Sequence, residues 1–152
     1  MRVVIQRVLH ASVSVNNIIR GRINNGLLVL LGVSNDDTKE DLMWLVGKIP
    51  SLRIFIDENG LMNKSLVDVS GELLVISQFT LYAATQKGNR PSYINAAKPD
   101  FANEMYELFI EEIGKKITSD VQRGEFGADM KVELLNDGPV TIIMDTKNKS
   151  IF

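Results

Sequence analysis

Cysteine is absent from the 152 residues, which removes disulfides and thiolate chemistry from consideration at once. Histidine occurs once, at His10, too few for a zinc site built by the protein, so no metal or other cofactor is expected. His10 closes a strand-like stretch without an acidic partner nearby in sequence and is assigned no catalytic role. There is no Ser-His-acid set and no glycine-rich phosphate loop. The longest apolar run, Leu27 to Val33, falls far short of the roughly 20 residues a membrane helix needs. MRVVIQRV at the N-terminus carries arginine at both ends of a short apolar stretch and no cleavage-site pattern. The chain is therefore expected to be cytoplasmic, and the sequons at Asn63 and Asn148 then have no meaning for glycosylation. A basic surplus is missing too: the net charge of −2 argues against a general nucleic-acid coat protein, and DNA is not an expected partner.

One absence is local. Between Glu72 and Asp100 there is no acidic residue, while Lys87, Arg90 and Lys98 fall inside that interval. Such a segment is either an anchor for a polyanion or a solvated basic loop, and charge alone does not choose.

What is present suits one soluble domain spanning residues 1–152, with 45% hydrophobic and 24% charged residues and a polar tail from about residue 146 that is expected to fray. Arg2 to His10 alternates as a strand, with Val3, Ile5, Arg7 and Leu9 on one face. Arg7 is the odd residue there, since a guanidinium facing a core must meet carboxylates or carbonyls, and this marks it as a bracing residue. Ser12 to Val15 and Ile18 to Ile23 read as short strands around Asn16-Asn17, followed by Leu27 to Val33. Asn35 to Thr38 starts a helix bearing Leu42, Leu45, Val46 and Ile49, which Pro50 ends. Leu52 to Ile56 is a further strand, and Asp57 to Gly60 is a plain turn because its glycine comes too early for a calcium loop. Thr85 to Lys98 is a long polar loop, and Pro99 opens a helix with Phe101, Met105, Leu108, Phe109 and Ile113 along one face. Met130 to Leu134 and Val140 to Met144 read as strands joined by the turn Asn136-Asp137-Gly138. The order predicts an α+β domain, a mainly antiparallel sheet with two principal helices packed on one side.

Chemistry concentrates in two stretches. Leu73 to Ile76 is a continuous apolar run, as in a strand covered on both faces, and it gives way abruptly to Ser77-Gln78-Phe79-Thr80-Leu81. Taken alone, Ser77 and Thr80 read first as hydroxyl residues bonded to neighbouring backbone. Near the other end, Asn136 to Thr141 reads NDGPVT, a polar turn leading into Val140, Ile142 and Ile143.

SQFTL at Ser77 to Leu81 and GPVT at Gly138 to Thr141 together resemble the D-aminoacyl-tRNA deacylase family. The likeness extends to IQRV at Ile5, ASV at Ala11, GLLVLLGV at Gly26, RIF at Arg53, RPS at Arg90 and ADM at Ala128. The resemblance implies a barrel-like core and a homodimer. It also implies an enzyme that hydrolyses the ester of D-aminoacyl-tRNA, and of glycyl-tRNA, while sparing L-aminoacyl groups. Ser77, Gln78, Phe79 and Thr80 would form the catalytic stretch, with the Phe79 and Thr80 N–H groups near the scissile carbonyl. Gly138 and Pro139, joined by a cis peptide and inserted into the partner's site, would select chirality. Arg7 would brace that turn, Ala128 and Met130 would line the pocket, and Lys87, Arg90 and Lys98 would contact tRNA. Two other readings remain open on the residues: a non-catalytic RNA-binding module, and a small-molecule esterase with Thr80 as nucleophile.

Overall fold

The computed structural model describes residues 1–150. The elements follow as β1 (Arg2–Val15), β2 (Ile18–Ile23), β3 (Gly26–Gly32), α1 (Lys39–Lys48), β4 (Phe55–Ile56), β5 (Met62–Lys64), β6 (Glu72–Ser77), α2 (Pro99–Gly114), β7 (Gln122–Arg123) and β8 (Lys131–Asp145). β1 is the strand on which the main sheet is laid. One edge pairs antiparallel with β8 almost throughout, from Arg2 opposite Asp145 to Ser14 opposite Lys131. The other edge is shared, Arg2 to Val8 pairing with β3 and Ala11 to Val15 with β2. Beyond β3 come β6 and β7, each parallel to its neighbour, so the sheet is mixed. It curls until Arg20 of β2 pairs with Glu125, just past β7, at 3.4 Å, which nearly closes a barrel.

Two apolar clusters lie on opposite faces of this sheet. Val3, Ile5, Leu27, Val29, Leu31, Leu73 and Val75 face both helices, whereas Val8, Ala11, Val13, Ile23, Leu28, Leu74 and Ile76 fill the inside of the curl. Burial on both faces is the reason β3 and β6 read as unbroken apolar runs rather than alternating ones. β1 crosses from one cluster to the other. Its register against β8 slips between Gln6 and Val8 and again between Val8 and His10, and the bulge changes which side chains point inward. This corrects two expectations. The strand does not stop at His10, and Leu9 is not on the core face with Val3 and Ile5 but half exposed. The same bulge accommodates Asp137 to Pro139, so β8 runs as one strand where a turn between two strands was expected.

The helices follow their sequence signals. Thr38 caps α1, its Oγ1 accepting from the Asp41 N–H while the Asp41 carboxylate accepts from the Thr38 N–H, a reciprocal pair worth about 1 kcal/mol. α1 buries Leu42, Leu45 and Val46; α2 buries Met105, Tyr106, Phe109 and Ile113. The Tyr106 hydroxyl donates to the Val75 carbonyl at 2.9 Å, tying α2 to β6 beside its C-terminal end. Among the described residues no helix is long and apolar enough to cross a membrane.

The tail expected to fray from about residue 146 begins pinned. Thr146 is buried, its N–H donates to the Met1 carbonyl at 2.9 Å, and its hydroxyl accepts from the Met1 ammonium at 2.5 Å. Lys147 donates to Asp41 at 2.7 Å and to the Asp36 carbonyl at 2.8 Å. Ile151 and Phe152 lie outside the described residues. Burial by itself would raise the Asp41 pKa, but hydrogen bonds from Lys147, the Thr38 N–H and Thr146 outweigh it and hold the carboxyl well below its usual 3.8. A carboxyl with a depressed folded pKa stabilises the fold above its unfolded value and loses that contribution as pH falls through the folded one. Asp41→Asn is therefore expected to lower stability at pH 7 by about 1–3 kcal/mol in urea melts, with the gap to wild type narrowing below pH 3.8. A gap that stays constant down the acid range contradicts this assignment.

Candidate active site

β6 delivers Ser77 opposite Leu31 of β3, and the chain then leaves the sheet. The Gln78 N–H takes the last ladder position, donating to the Leu31 carbonyl at 2.8 Å, and Phe79 to Tyr82 wind into a single 3-10 turn. Phe79 and Thr80 are the first residues of that turn, so their N–H groups have no partner within it. Among the described residues they find none elsewhere. The turn rests directly on Gly32: a Cβ there would come 3.0 Å from the Gln78 carbonyl oxygen and 3.2 Å from side-chain atoms of both Leu81 and Tyr82. Only glycine lets the turn sit this close to β3.

In front of the turn opens a cavity of about 510 Å³. Ser77, Gln78 and Phe79 form one wall, Tyr93, Ala96 and Ala97 a second, and Phe126 to Met130 with Val132 a third. Ala128 and Met130 are among the residues that line it. Thr80 does not line the cavity; its Oγ1 is tied to Gln78 Nε2 at 2.5 Å. An amide cannot accept the proton of an attacking hydroxyl, and Asp129, the one carboxylate in the lining, is largely exposed and paired with Lys131 at 2.8 Å. The turn therefore offers two free main-chain donors, and the one carboxylate in the lining is already ion-paired. Phe79 is exposed and meets Tyr93 edge to face, with 5.0 Å between ring centroids, so the two rings frame the mouth. Tyr93 and Asp129 were not singled out from the sequence. Both lie in irregular segments whose path no periodicity fixes.

Gly138 and Pro139 are joined by a cis peptide and are exposed on β8, outside the lining of this cavity. Their local frame is firmly built. Arg7 is 5% exposed; its Nη1 donates to the Ile54 carbonyl at 2.5 Å, and its Nε stands 2.9 Å from Asp137 Oδ2, an ion pair in which the N–H does not point squarely at the oxygen. A Cβ on Gly138 would lie 3.0 Å from Arg7 Nη2 and 2.8 Å from Val140 Cγ2, and Gly138 has φ +123°, so glycine is required twice over. Asn136 closes the frame by donating through Nδ2 to the Arg7 carbonyl at 2.9 Å and the Val140 carbonyl at 3.0 Å. That bracing role of Asn136 was missed, although an asparagine two residues before Gly-Pro is a recognisable signal for side-chain to main-chain bonding.

Lys87, Arg90 and Lys98 are all exposed and, among the described residues, unpaired. Their loop is folded rather than loose, pinned by bridges from Ala84 to Ser92 and from Ser34 to Ala96. No group of histidine and acidic residues able to hold a metal occurs among the described residues.

Comparison with known proteins bears on the whole of this arrangement. The family model described as D-Tyr-tRNA(Tyr) deacylase matches residues 4–145. The chain is 58% identical over 149 residues to a D-aminoacyl-tRNA deacylase of Parabacteroides distasonis, covering 98% of this chain and 99% of the relative. It is 61% identical over 151 residues to one from Fusobacterium nucleatum subsp. nucleatum, covering 99% of each. Among solved structures, one titled c-Myc DNA Unwinding Element Binding Protein superposes with a TM-score of 0.90 at 41% identity, over 95% of this chain and 98% of that one. A probable eukaryotic D-amino acid tRNA deacylase superposes with a TM-score of 0.78 over 94% of this chain and 97% of that one, and at 20% identity it speaks to the fold alone. Matched along nearly its whole length by one family model and by relatives at about this identity, the chain belongs to the D-Tyr-tRNA(Tyr) deacylase family.

Proposed function

We propose that the protein hydrolyses the ester bond of D-aminoacyl-tRNA, releasing the D-amino acid and tRNA, and so removes the wrong enantiomer before translation uses it. The observation that carries this reading is the pair of unpartnered N–H groups at Phe79 and Thr80 beside a cavity whose one lining carboxylate, Asp129, is exposed and ion-paired with Lys131. An aminoacyl ester is already activated, and its hydrolysis chiefly needs stabilisation of the oxyanion that forms at the carbonyl. Aligned N–H donors supply this, each worth about 3 kcal/mol, or roughly a hundredfold in rate. Water attacks the carbonyl, the new oxyanion is held by these donors, and the terminal ribose oxygen leaves, its neighbouring hydroxyl passing the proton. Thr80 positions; it does not attack, since its hydroxyl has only an amide for a neighbour.

Chirality is read by a second copy of the chain. In this reading two protomers form a homodimer in which each inserts Gly138 and Pro139 into the other's cavity, which accounts for a braced and exposed turn that stands outside the lining of its own protomer's catalytic cavity. Main-chain carbonyls fixed there accept from the substrate's ammonium group and leave no space for a side chain of L configuration. Glycine has no side chain to exclude, so glycyl-tRNA is a substrate too. Lys87, Arg90 and Lys98 receive the tRNA backbone, and the protein works in the cytoplasm.

Release from matched D-tyrosyl-, L-tyrosyl- and glycyl-tRNA tests the reading. D-tyrosine and glycine are expected to be freed fast and L-tyrosine spared, and a Gly138→Ala, Pro139→Ala double variant is expected to lose most of the discrimination. No release of any of the three contradicts the hydrolase reading and favours an RNA-binding module. Thr80→Ala is expected to keep D-tyrosine release within about tenfold of wild type, because no nucleophile is removed; abolished release with tRNA binding intact would make Thr80 the nucleophile.

A further inference from the structure

The turn presenting the Phe79 and Thr80 N–H groups is held at its start by the Gln78 to Leu31 hydrogen bond. Its far end is the Leu81 carbonyl, which receives no main-chain donor among the described residues. It accepts instead from Arg2 Nη1 at 2.6 Å. The same guanidinium donates through Nε and Nη2 to Asp145 Oδ2 at 3.0 and 2.7 Å, and its carbon stands 4.8 Å from the centroid of the Tyr82 ring. Arg2 thus touches the turn twice, at a carbonyl and at an aromatic face, while its charge is held by a carboxylate that is almost wholly buried.

We propose that Arg2, fixed by Asp145, is a positioning residue for the ester-hydrolysing site: it clamps the C-terminal end of the Phe79 to Tyr82 turn and thereby sets where the Phe79 and Thr80 N–H groups point. The inference rests on the hydrolase reading above and adds to it a residue outside the catalytic stretch. Its geometry favours positioning over substrate contact. Arg2 is not in the lining of the catalytic cavity; it borders a separate cavity of about 510 Å³ on the other side of the Tyr93 to Ala97 segment, together with Tyr82 and Asp145. Its charge is already paired with Asp145 and three of its five N–H groups serve Asp145 and Leu81, which leaves it poorly placed to neutralise a phosphate. Charge-assisted bonds in a planar fork fix direction as well as distance, and a single ammonium cannot serve Leu81, Asp145 and the Tyr82 face at once. Displacement of catalytic donors by about 1 Å is enough to cost up to a hundredfold in rate.

Steady-state kinetics on D-tyrosyl-tRNA, run well below the unfolding midpoint, test the clamp. Arg2→Met is expected to lower kcat about tenfold while KM stays within about twofold, with Arg2→Lys falling between Met and wild type. Unchanged kcat in Arg2→Met, even with a lowered midpoint, overturns the proposal by making Arg2 merely structural. A raised KM at wild-type kcat also overturns it, by making Arg2 an RNA contact. If Arg2→Met does not fold, Asp145→Asn decides: several-fold loss of kcat at constant KM is expected, and wild-type kcat overturns the clamp. These results are separable from failure of the underlying reading, which shows as a wild-type protein without D-tyrosine release and removes both.

Discussion

Between Glu72 at its start and Ser77 at its end β6 has an apolar cluster on each face, so no polar side chain is carried along its interior, and polarity returns only at Ser77. The chemistry follows from that constraint. At the strand end the Gln78 N–H finds the last free acceptor on β3, and the next two N–H groups emerge with nothing to bond. Unpaired backbone donors are disfavoured in a sealed core, and here they stand on a partly exposed turn beside a cavity that Phe79 lines. Gly32 allows the turn to press against β3, which keeps these donors close to the rigid sheet rather than on a swinging loop.

β8 connects the other parts. Midway it carries Gly138 and Pro139 within the frame made by Arg7, Asn136 and Asp137; at its end it carries Asp145, the anchor of Arg2. β1 contributes an arginine to each place, Arg7 at the bulge and Arg2 at the strand start. Each arginine faces one carboxylate and one main-chain carbonyl, the buried Arg7 through an ion pair to Asp137 and a hydrogen bond to Ile54, the half-buried Arg2 through hydrogen bonds to Asp145 and Leu81. The paired strands β1 and β8 therefore hold the proposed filter that one protomer offers and the turn that its own cavity uses.

Much of this was legible in the sequence, and the limits have physical causes. The apolar run before Ser77 announced a doubly covered strand, and Thr38 and Pro99 announced the helix starts. Arg7 stood out as a charge on an apolar face; it is buried, with its Nη2 close to Gly138. The bulge at Arg7 to His10 was invisible because it depends on how β1 meets β8, some 130 residues away, and it reversed the facing of Leu9. Parallel pairing of β6 with β3 and β7 was hidden for the same reason: a continuous apolar run says that both faces are covered, not which way the neighbours run. Arg2 and Asp145 looked like ordinary ends of strands, since nothing local relates residues at opposite ends of the chain. The tail from Thr146 read as polar and loose because its partners, Met1, Asp36 and Asp41, are distant in sequence.

The account stands on a main-chain N–H acting as catalyst, and Phe79 permits a direct test of it. Phe79 opens the 3-10 turn, a position where proline's missing N–H breaks no bond of the fold, and Gln78 before it, at φ −144° and ψ 83°, lies outside the helical region that a following proline disfavours. Phe79→Ala removes the ring and keeps the donor; Phe79→Pro removes both. Comparing kcat for D-tyrosyl-tRNA between these two variants isolates the N–H. A further loss of roughly a hundredfold in the proline variant, with the alanine variant retaining most activity and both folded, is the predicted result. Equal rates in the two would show that the Phe79 N–H stabilises no oxyanion, and would contradict the mechanism.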